Sequence, residues 1–220
     1  MNNAKPLRSL SLYSLFDRLN SFYGSQHWWP ADTTYETAVG AILTQNTNWG
    51  NVEKAISNLK KHKALNAQTM KLMSLDRLAE LIRPSGYYNI KAKRLRAFVE
   101  YLVENHNGNM ARMRHVATEK LRAELLAVNG IGQETADSIL LYAVHKPVFV
   151  IDAYTKRVLS RHGLMDMNAS YAEYQQLFHS NLQPDVALYN EYHALLVRVG
   201  KEHCKPLPQC DGCPLSTTQQ

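Results

Sequence analysis

One carboxylate, Asp152, stands where an apolar segment meets the predicted start of a helix. The segment VFVIDAYTKRV (residues 148–158) brings four apolar residues directly before Asp152, and a helical pattern follows. A carboxylate in this position can stabilise positive charge that develops on a bound ligand, or can orient or deprotonate a water molecule. A plain helix N-cap is the structural alternative, and it is compatible with both chemical roles.

A hairpin with two glycines precedes Asp152. Residues 121–144, LRAELLAVNGIGQETADSILLYAV, predict an apolar helix, a turn at NGIG (129–132) and a second helix. Glycine lets the main chain approach a ligand closely, and the second helix starts with unpaired N–H groups at the positive end of its dipole. These features favour a sequence-independent hold on a phosphate backbone; an αα-hairpin with a glycine turn is the plain alternative. The residues expected in this contact are Asn129, Gly130, Ile131, Gly132, Gln133 and Thr135.

The three tryptophans lie in two short segments. Trp28 and Trp29 precede Pro30, and the segment LTQNTNW (43–49) ends at Trp49. Indole rings on either side of a polar loop can stack on a planar aromatic ligand such as a nucleobase, and their electron-rich faces attract a cationic one. Burial in the core is the alternative for any single tryptophan.

Amphipathic helices are predicted to hold these residues in place. Apolar residues recur with helical spacing in 35–43, 95–103, 136–144 and 188–199, and shorter helical patterns fit 12–22, 75–82, 121–128 and 171–178. Thr33 with Glu36 predicts a capping box at the start of the first of these stripes. The one β-like run, 147–151, is too short and isolated for a sheet. We therefore expect an all-α fold.

Two helical lobes are expected from this pattern. The first lobe comprises residues 32–146 and includes the hairpin (121–144). The second combines residues 1–31 with 147–220, and it carries Asp152 and a cysteine-containing loop near the C-terminus. A chain of 220 residues is long enough to bury a core in each lobe.

The composition suits a protein that meets a polyanion. Twenty-five Lys and Arg against nineteen Asp and Glu give a formal charge of +6. No apolar run approaches the roughly 18 residues of a membrane span. The first ten residues also lack the apolar core of a secretory leader. We expect a cytoplasmic protein without a membrane partner, associated with the nucleoid if its source is bacterial.

The order of these motifs resembles the endonuclease III-like DNA glycosylases of the helix-hairpin-helix superfamily. The matching segments are VNGIGQETAD (128–137), His145-Lys146-Pro147, Asp152, LTQNT (43–47) and SGYYNIKAKRL (85–95). The pattern is most similar to the 3-methyladenine DNA glycosylases of this type, in which WWP and an aromatic residue after QNT line the base pocket. The resemblance implies a base-excision-repair enzyme that binds damaged duplex DNA between its lobes and hydrolyses the N-glycosidic bond of a flipped base.

The resemblance also assigns roles to residues. It makes Asp152 the catalytic residue, because this family requires an aspartate there. Members that also nick DNA use a lysine two positions after the second hairpin glycine, and Glu134 stands at that place. A glutamate has no amine to form a Schiff base, so we expect a monofunctional monomer that hands an abasic site to an AP endonuclease. Glu134 itself either accepts a hydrogen bond from the base or is a solvated charge. The expected base-pocket residues are Trp28, Trp29, Pro30, Gln45, Trp49 and Glu134.

The cysteines resemble an incomplete iron–sulfur loop. Cys204, Cys210 and Cys213 follow the order of the loop that holds a 4Fe-4S cluster in many endonuclease III relatives, but the fourth cysteine is absent. His203 is a candidate for the missing ligand, and a loop that binds no metal is the alternative. Neither reading affects the chemistry, because hydrolysis of the glycosidic bond needs no cofactor.

Two other functions remain open at this point. Gln45 suggests an endonuclease III-type glycosylase for oxidised pyrimidines with AP lyase activity. A non-catalytic helix-hairpin-helix protein that only binds DNA is the other alternative, and it would need neither Asp152 nor the tryptophans.

Overall fold

The computed structural model describes residues 11–216, which form twelve α-helices and no strand. The all-α expectation is confirmed. None of the helices in this range is both long and apolar enough to cross a membrane. The helices are α1 (Leu12–Tyr23), α2 (Thr34–Leu43), α3 (Trp49–Lys61), α4 (Ala67–Leu72), α5 (Leu75–Leu81), α6 (Tyr88–His106), α7 (Met110–Met113), α8 (Thr118–Ala127), α9 (Gln133–Ser138), α10 (Ala153–Arg161), α11 (Tyr171–Asn181) and α12 (Val186–Glu202). A 3-10 turn lies at Arg83–Ser85, and a π-helical segment, Ile139–Ala143, continues α9.

The chain divides into two compact units, and the boundary lies at Trp29 rather than at residue 32. We call residues 29–146 the hairpin unit, and the described residues 11–28 and 147–216 the carboxylate unit. Trp29 belongs to the hairpin unit because its ring stacks on Tyr142 with centroids 5.1 Å apart and meets the edge of Trp49 at 4.9 Å.

The hairpin unit is built around α2, a helix that is buried on nearly every side. Val39, Ile42 and Leu43 have no exposed surface, and the helix packs against α6 and the π-helical segment. The expected capping box at its start is half-formed. Thr33 accepts a hydrogen bond from the Glu36 amide at 3.1 Å, but the Glu36 carboxylate bonds to Lys60 instead of completing the box.

The carboxylate unit has an aromatic core between α10, α11 and α12. Phe149 stacks on Phe178 with ring centroids 3.6 Å apart, and Tyr192 meets both rings edge-on. The β-like run 147–151 is therefore an extended, buried connector. The main chain at Phe149 is hydrogen-bonded without a sheet, because its amide donates to His179 and its carbonyl accepts from Gln175. This connector fixes the position at which Asp152 enters α10.

Candidate functional site

The hairpin turn lies between α8 and α9. Asn129, Gly130, Gly132 and Gln133 are exposed, as a surface that contacts a backbone requires. Ile131 and Thr135 are buried, so of the six expected contact residues these two can offer only main-chain groups. Gly132 is the N-cap of α9 and its backbone is extended; no side chain of the described residues caps this helix. The first N–H groups of α9 are therefore available to an anion such as a phosphate.

The second hairpin helix is shorter than its sequence pattern predicts. It is α-helical only to Ser138 and continues as a π-helix through Ala143, a local irregularity that recurs near functional sites. A bidentate ion pair between Arg122 and the fully buried Asp137, at 2.6 and 3.0 Å, ties α8 to α9. The hairpin is thus held rigidly by groups away from its exposed turn.

The two hairpin glycines differ in the space available for a side chain, so alanine variants at the two positions form a matched pair. Gly130 has φ +85°, and an added Cβ would lie 2.2 Å from Arg94 Cγ, whereas a Cβ on Gly132 would have no atom within 4 Å. We expect Gly130→Ala to cost about 1–3 kcal/mol of unfolding free energy and Gly132→Ala less than about 0.5 kcal/mol. Urea denaturation measures both.

The same pair tests whether the turn contacts DNA. Gly132→Ala should weaken binding to every duplex alike, because the new methyl group stands between the main chain and a phosphate. Wild-type affinity of this stable variant for undamaged DNA would remove Gly132 from the interface.

Asp152 is the N-cap of α10 and is nearly buried. Its Oδ1 accepts a hydrogen bond from the Thr155 amide at 2.7 Å, and 12% of its side chain is exposed. Its Oδ2 lies 3.7 Å from Nε2 of His193, on α12. Burial lowers the pKa of His193, and the attraction of Asp152 offsets only part of this shift. At neutral pH the imidazole is therefore mostly uncharged and leaves the negative charge of the carboxylate in place.

All three tryptophans are half-buried. Trp49, the last residue of the segment LTQNTNW (43–49), is the first residue of α3. In the hairpin unit Trp49 borders an open depression of about 480 Å³. The residues that line it are Pro30, Ala31, Asp32, Glu36, Trp49, Glu53, Ile56, Ser57 and Lys60.

This depression is acidic in a basic protein. Three carboxylates, those of Asp32, Glu36 and Glu53, face one ammonium, that of Lys60, which bonds to Asp32 at 2.7 Å and to Glu36 at 2.8 Å. Glu53 accepts a hydrogen bond from Trp49 Nε1 at 2.9 Å. A carboxylate bound to the indole N–H increases the electron density of the ring and its attraction for a cation.

The other expected pocket residues lie elsewhere. Trp28 belongs to the carboxylate unit, where Lys201 Nζ lies 6.0 Å from its ring centre and 5.9 Å from that of Tyr154. Gln45 bonds to the hairpin, through Gly130 O at 3.1 Å and Thr135 Oγ1 at 2.9 Å. Glu134 is exposed near the start of α9. Of the six expected pocket residues, the structure brings Pro30 and Trp49 into one depression, with Trp29 against the indole edge.

The cysteine loop does not fit a four-ligand cluster. Cys204 and Cys213 are buried and Cys210 is exposed, and no three His, Cys, Asp or Glu side chains between residues 11 and 216 are arranged to hold a metal ion. The proposed fourth ligand, His203, is bonded through Nδ1 to the Gln209 carbonyl at 3.1 Å. The provisional metal assignment of these cysteines is not supported by their arrangement.

Sequence reasoning missed three residues that the structure places in contact with expected ones. Arg94 bonds to Gln45, Glu53 bonds to Trp49, and His193 lies beside Asp152. Arg94 lies within the segment 85–95 that carries the family resemblance, so a signal for it existed. The spacing of His193 from Asp152 in the chain gives no comparable signal.

Comparison with known proteins identifies close relatives. A protein of Methanocaldococcus jannaschii, provisionally named a DNA repair glycosylase, is 50% identical over 208 residues, which cover 93% of each chain. The crystal structure of H. pylori 3-methyladenine DNA glycosylase bound to 1,N6-ethenoadenine has a TM-score of 0.74 at 29% identity, covering 88% of this chain and 98% of that chain. A non-covalent endonuclease III–DNA complex has a TM-score of 0.79 at 23% identity over 92% of this chain and 91% of that chain, and shows the likeness of fold alone.

The glycine-containing hairpin between α8 and α9 lies within the segment that a known protein family covers. The family profile described as "HhH-GPD superfamily base excision DNA repair protein" matches residues 39–184. The chain therefore belongs to this superfamily, and it is a DNA glycosylase of that group.

Proposed function

We propose that this protein is a monofunctional DNA glycosylase that removes alkylated, positively charged purines such as 3-methyladenine. The observation that carries the proposal is the acidic depression at Trp49, whose indole N–H is bonded to Glu53. An electron-rich aromatic face beside an excess of carboxylates attracts a cationic base more strongly than a neutral one. The resemblance to an H. pylori enzyme named for 3-methyladenine supports the same substrate class.

A base that is already cationic needs little catalytic assistance from the protein in order to leave. Such a base leaves as a neutral molecule, so no general acid has to protonate it. The positive charge that develops on the sugar is stabilised by Asp152, and water completes the hydrolysis at the sugar carbon. His193 favours this role because the uncharged imidazole does not neutralise the carboxylate.

The product is an abasic site in an intact strand. Glu134 occupies the position of the Schiff-base lysine in the nicking relatives, and a carboxylate cannot form that covalent intermediate. An AP endonuclease then processes the product. The enzyme acts as a cytoplasmic monomer on double-stranded DNA, which it grips through the hairpin turn and the main-chain N–H groups of α9.

The alternative substrates are less well supported by the geometry. Gln45 favoured oxidised pyrimidines in the sequence, but its amide donates to Gly130 and Thr135 and accepts from Arg94. A residue with its amide occupied in this way is a poor reader of a base. If the protein only bound DNA, the nearly buried carboxylate of Asp152 would have no role other than capping α10.

An excision assay with defined lesions tests the proposal. The purified protein is incubated with duplexes that carry 3-methyladenine, 7-methylguanine, thymine glycol or a mismatched thymine, and released base and strand breaks are scored separately. We expect release of the methylated purines without strand breaks. Release of thymine glycol alone would replace this proposal with the oxidised-pyrimidine alternative, and no release from any duplex would favour a binding protein.

A further inference from the structure

The segment between α1 and Trp28 is tied to one face of α12. Glu191 and Arg198 stand seven residues apart on α12, so they share a face of this helix. Glu191 accepts a hydrogen bond from the main-chain amide of Gln26 at 2.6 Å through Oε1, and one from the hydroxyl of Ser25 at 3.4 Å through Oε2. A carboxylate of α12 therefore holds the main chain two residues before Trp28.

Arg198 holds the side chain of the same glutamine. It donates to Oε1 of Gln26 at 3.1 Å, and its guanidinium lies over the ring of Tyr23, 4.5 Å from the ring centre. Its Nε bonds to Glu202 at 3.0 Å, which keeps the guanidinium oriented. Because arginine can only donate, the other end of the Gln26 amide is free to donate in turn, and it bonds to the carbonyl of Gly24 at 2.7 Å.

The chain bends sharply immediately after Gln26. His27 has φ +49°, a left-handed conformation that residues other than glycine adopt rarely and keep only where their surroundings hold it. On the far side of this bend stands Trp28, whose ring centre lies 6.0 Å from Nζ of Lys201, three residues after Arg198 on α12. The direction in which the indole leaves the main chain thus depends on the bonds that hold Gln26.

We propose that Glu191 and Arg198 are positioning residues for Trp28, and that they act through Gln26 to hold the indole in the orientation in which it contacts the base. The proposal rests on the proposed glycosylase function and on the place of Trp28 among the expected base-pocket residues. It extends the determinants of excision to two charged residues of α12.

Two variants of Glu191 separate its hydrogen bond from its charge. Both Glu191→Ala and Glu191→Gln remove the negative charge, but only glutamine keeps an acceptor at the same distance from the main chain. Loss of this bond should lower the population of the competent orientation, and with it the single-turnover rate of 3-methyladenine release, about 3- to 10-fold in Glu191→Ala. Glu191→Gln should stay within about twofold of the wild-type rate. The two variants should bind undamaged duplex equally, because their net charge is the same.

The orientation of Trp28 can be measured directly by fluorine NMR of protein labelled with fluorotryptophan. The chain has three tryptophans, and single Trp→Phe variants assign their resonances. Glu191→Ala should displace or broaden the resonance of Trp28, and Glu191→Gln should not. Arg198→Lys should displace the same resonance, because lysine keeps the charge but lacks the planar fork that bonds to Gln26 and Glu202 together. It also replaces Glu191→Ala if that protein fails to fold.

The matched control is Glu173→Ala in the same unit. Glu173 is an exposed carboxylate that accepts a hydrogen bond from the main-chain amide of Ser170 at 2.7 Å. Its removal costs a bond of the same kind, yet the Trp28 resonance and the excision rate should both remain at their wild-type values. In combination with Trp28→Ala, the Glu191→Ala change should slow excision no further, because the residue through which it acts is gone.

The outcomes separate this inference from the proposed function. An unchanged Trp28 resonance in Glu191→Ala and Arg198→Lys would overturn the inference, and so would an equal loss of excision in Glu191→Ala and Glu191→Gln. A wild-type protein that releases no base would instead overturn the proposed function, while a displaced Trp28 resonance in Glu191→Ala alone of the two Glu191 variants would still uphold the positioning of the ring.

Discussion

Asp152→Asn should lower the rate of base release by about a hundred- to ten-thousandfold, while DNA binding is kept or strengthened. Asparagine is nearly the same size and can still accept the hydrogen bond of the Thr155 amide that now ends on Oδ1 at 2.7 Å. The variant therefore keeps the cap of α10 and loses only the charge that stabilises the sugar cation. Removing a negative charge close to DNA phosphates also favours binding. Single-turnover excision kinetics and a direct binding assay measure the two effects.

The matched control for this variant is Asp185→Asn. Asp185 is the N-cap of α12 in the same unit, accepts a hydrogen bond from the Leu188 amide at 2.6 Å and is exposed. It has the capping role of Asp152 without the chemical one, so its amide variant should excise bases at the wild-type rate. Equal rates for Asp152→Asn and the wild type would reduce Asp152 to a structural cap and remove it from the mechanism.

Much of the fold could be predicted because helical periodicity and cap residues are local signals. The stripe 35–43 is helix α2 within one residue, and the pattern 171–178 starts where α11 starts, after the capping box of Ser170. The helix α3 was missed although Val52, Ala55, Ile56 and Leu59 recur at i, i+3, i+4 and i+7, so its helical signal was present in the sequence. The π-helical segment 139–143 has no sequence signal of its own, because its apolar pattern is that of an ordinary buried helix.

The residues of the candidate site could be predicted more readily than the contacts between them. The start of a helix at Asp152 follows from the chain itself, since a cap and an apolar approach are neighbours in sequence. The contact of Gln45 with Gly130 joins residues 85 positions apart and depends on tertiary packing, which one sequence without relatives does not reveal. The contact of Glu53 with Trp49 is an i,i+4 pair within α3, so it follows from the sequence only once that helix is recognised.

The lyase route should be closed in this protein. Because Glu134 replaces the amine, borohydride should trap no covalent complex between the wild-type protein and lesion-containing DNA, and strands should break only after added alkali or an AP endonuclease. A trapped complex would show that another amine has taken the role. Lys201, between the rings of Trp28 and Tyr154, is then the first amine to remove.

Excision kinetics of tryptophan variants test the pocket at Trp49. Trp49→Ala removes base stacking of about 1–3 kcal/mol and should slow excision of a methylated purine about ten- to a hundredfold. Trp28→Ala gives the corresponding test in the carboxylate unit.

Glu53→Gln separates charge from stacking. It leaves the aromatic face and an acceptor for the indole N–H, but it removes one of three carboxylates from the depression. It should therefore lower the affinity for a duplex with cationic 7-methylguanine several-fold while the affinity for a duplex with neutral 1,N6-ethenoadenine is unchanged. If Trp28→Ala and Trp49→Ala both excise 3-methyladenine at the normal rate, the alkylpurine assignment fails. If Glu53→Gln affects the cationic and the neutral base alike, Glu53 supports the fold of the pocket and the electrostatic basis of the selectivity is wrong.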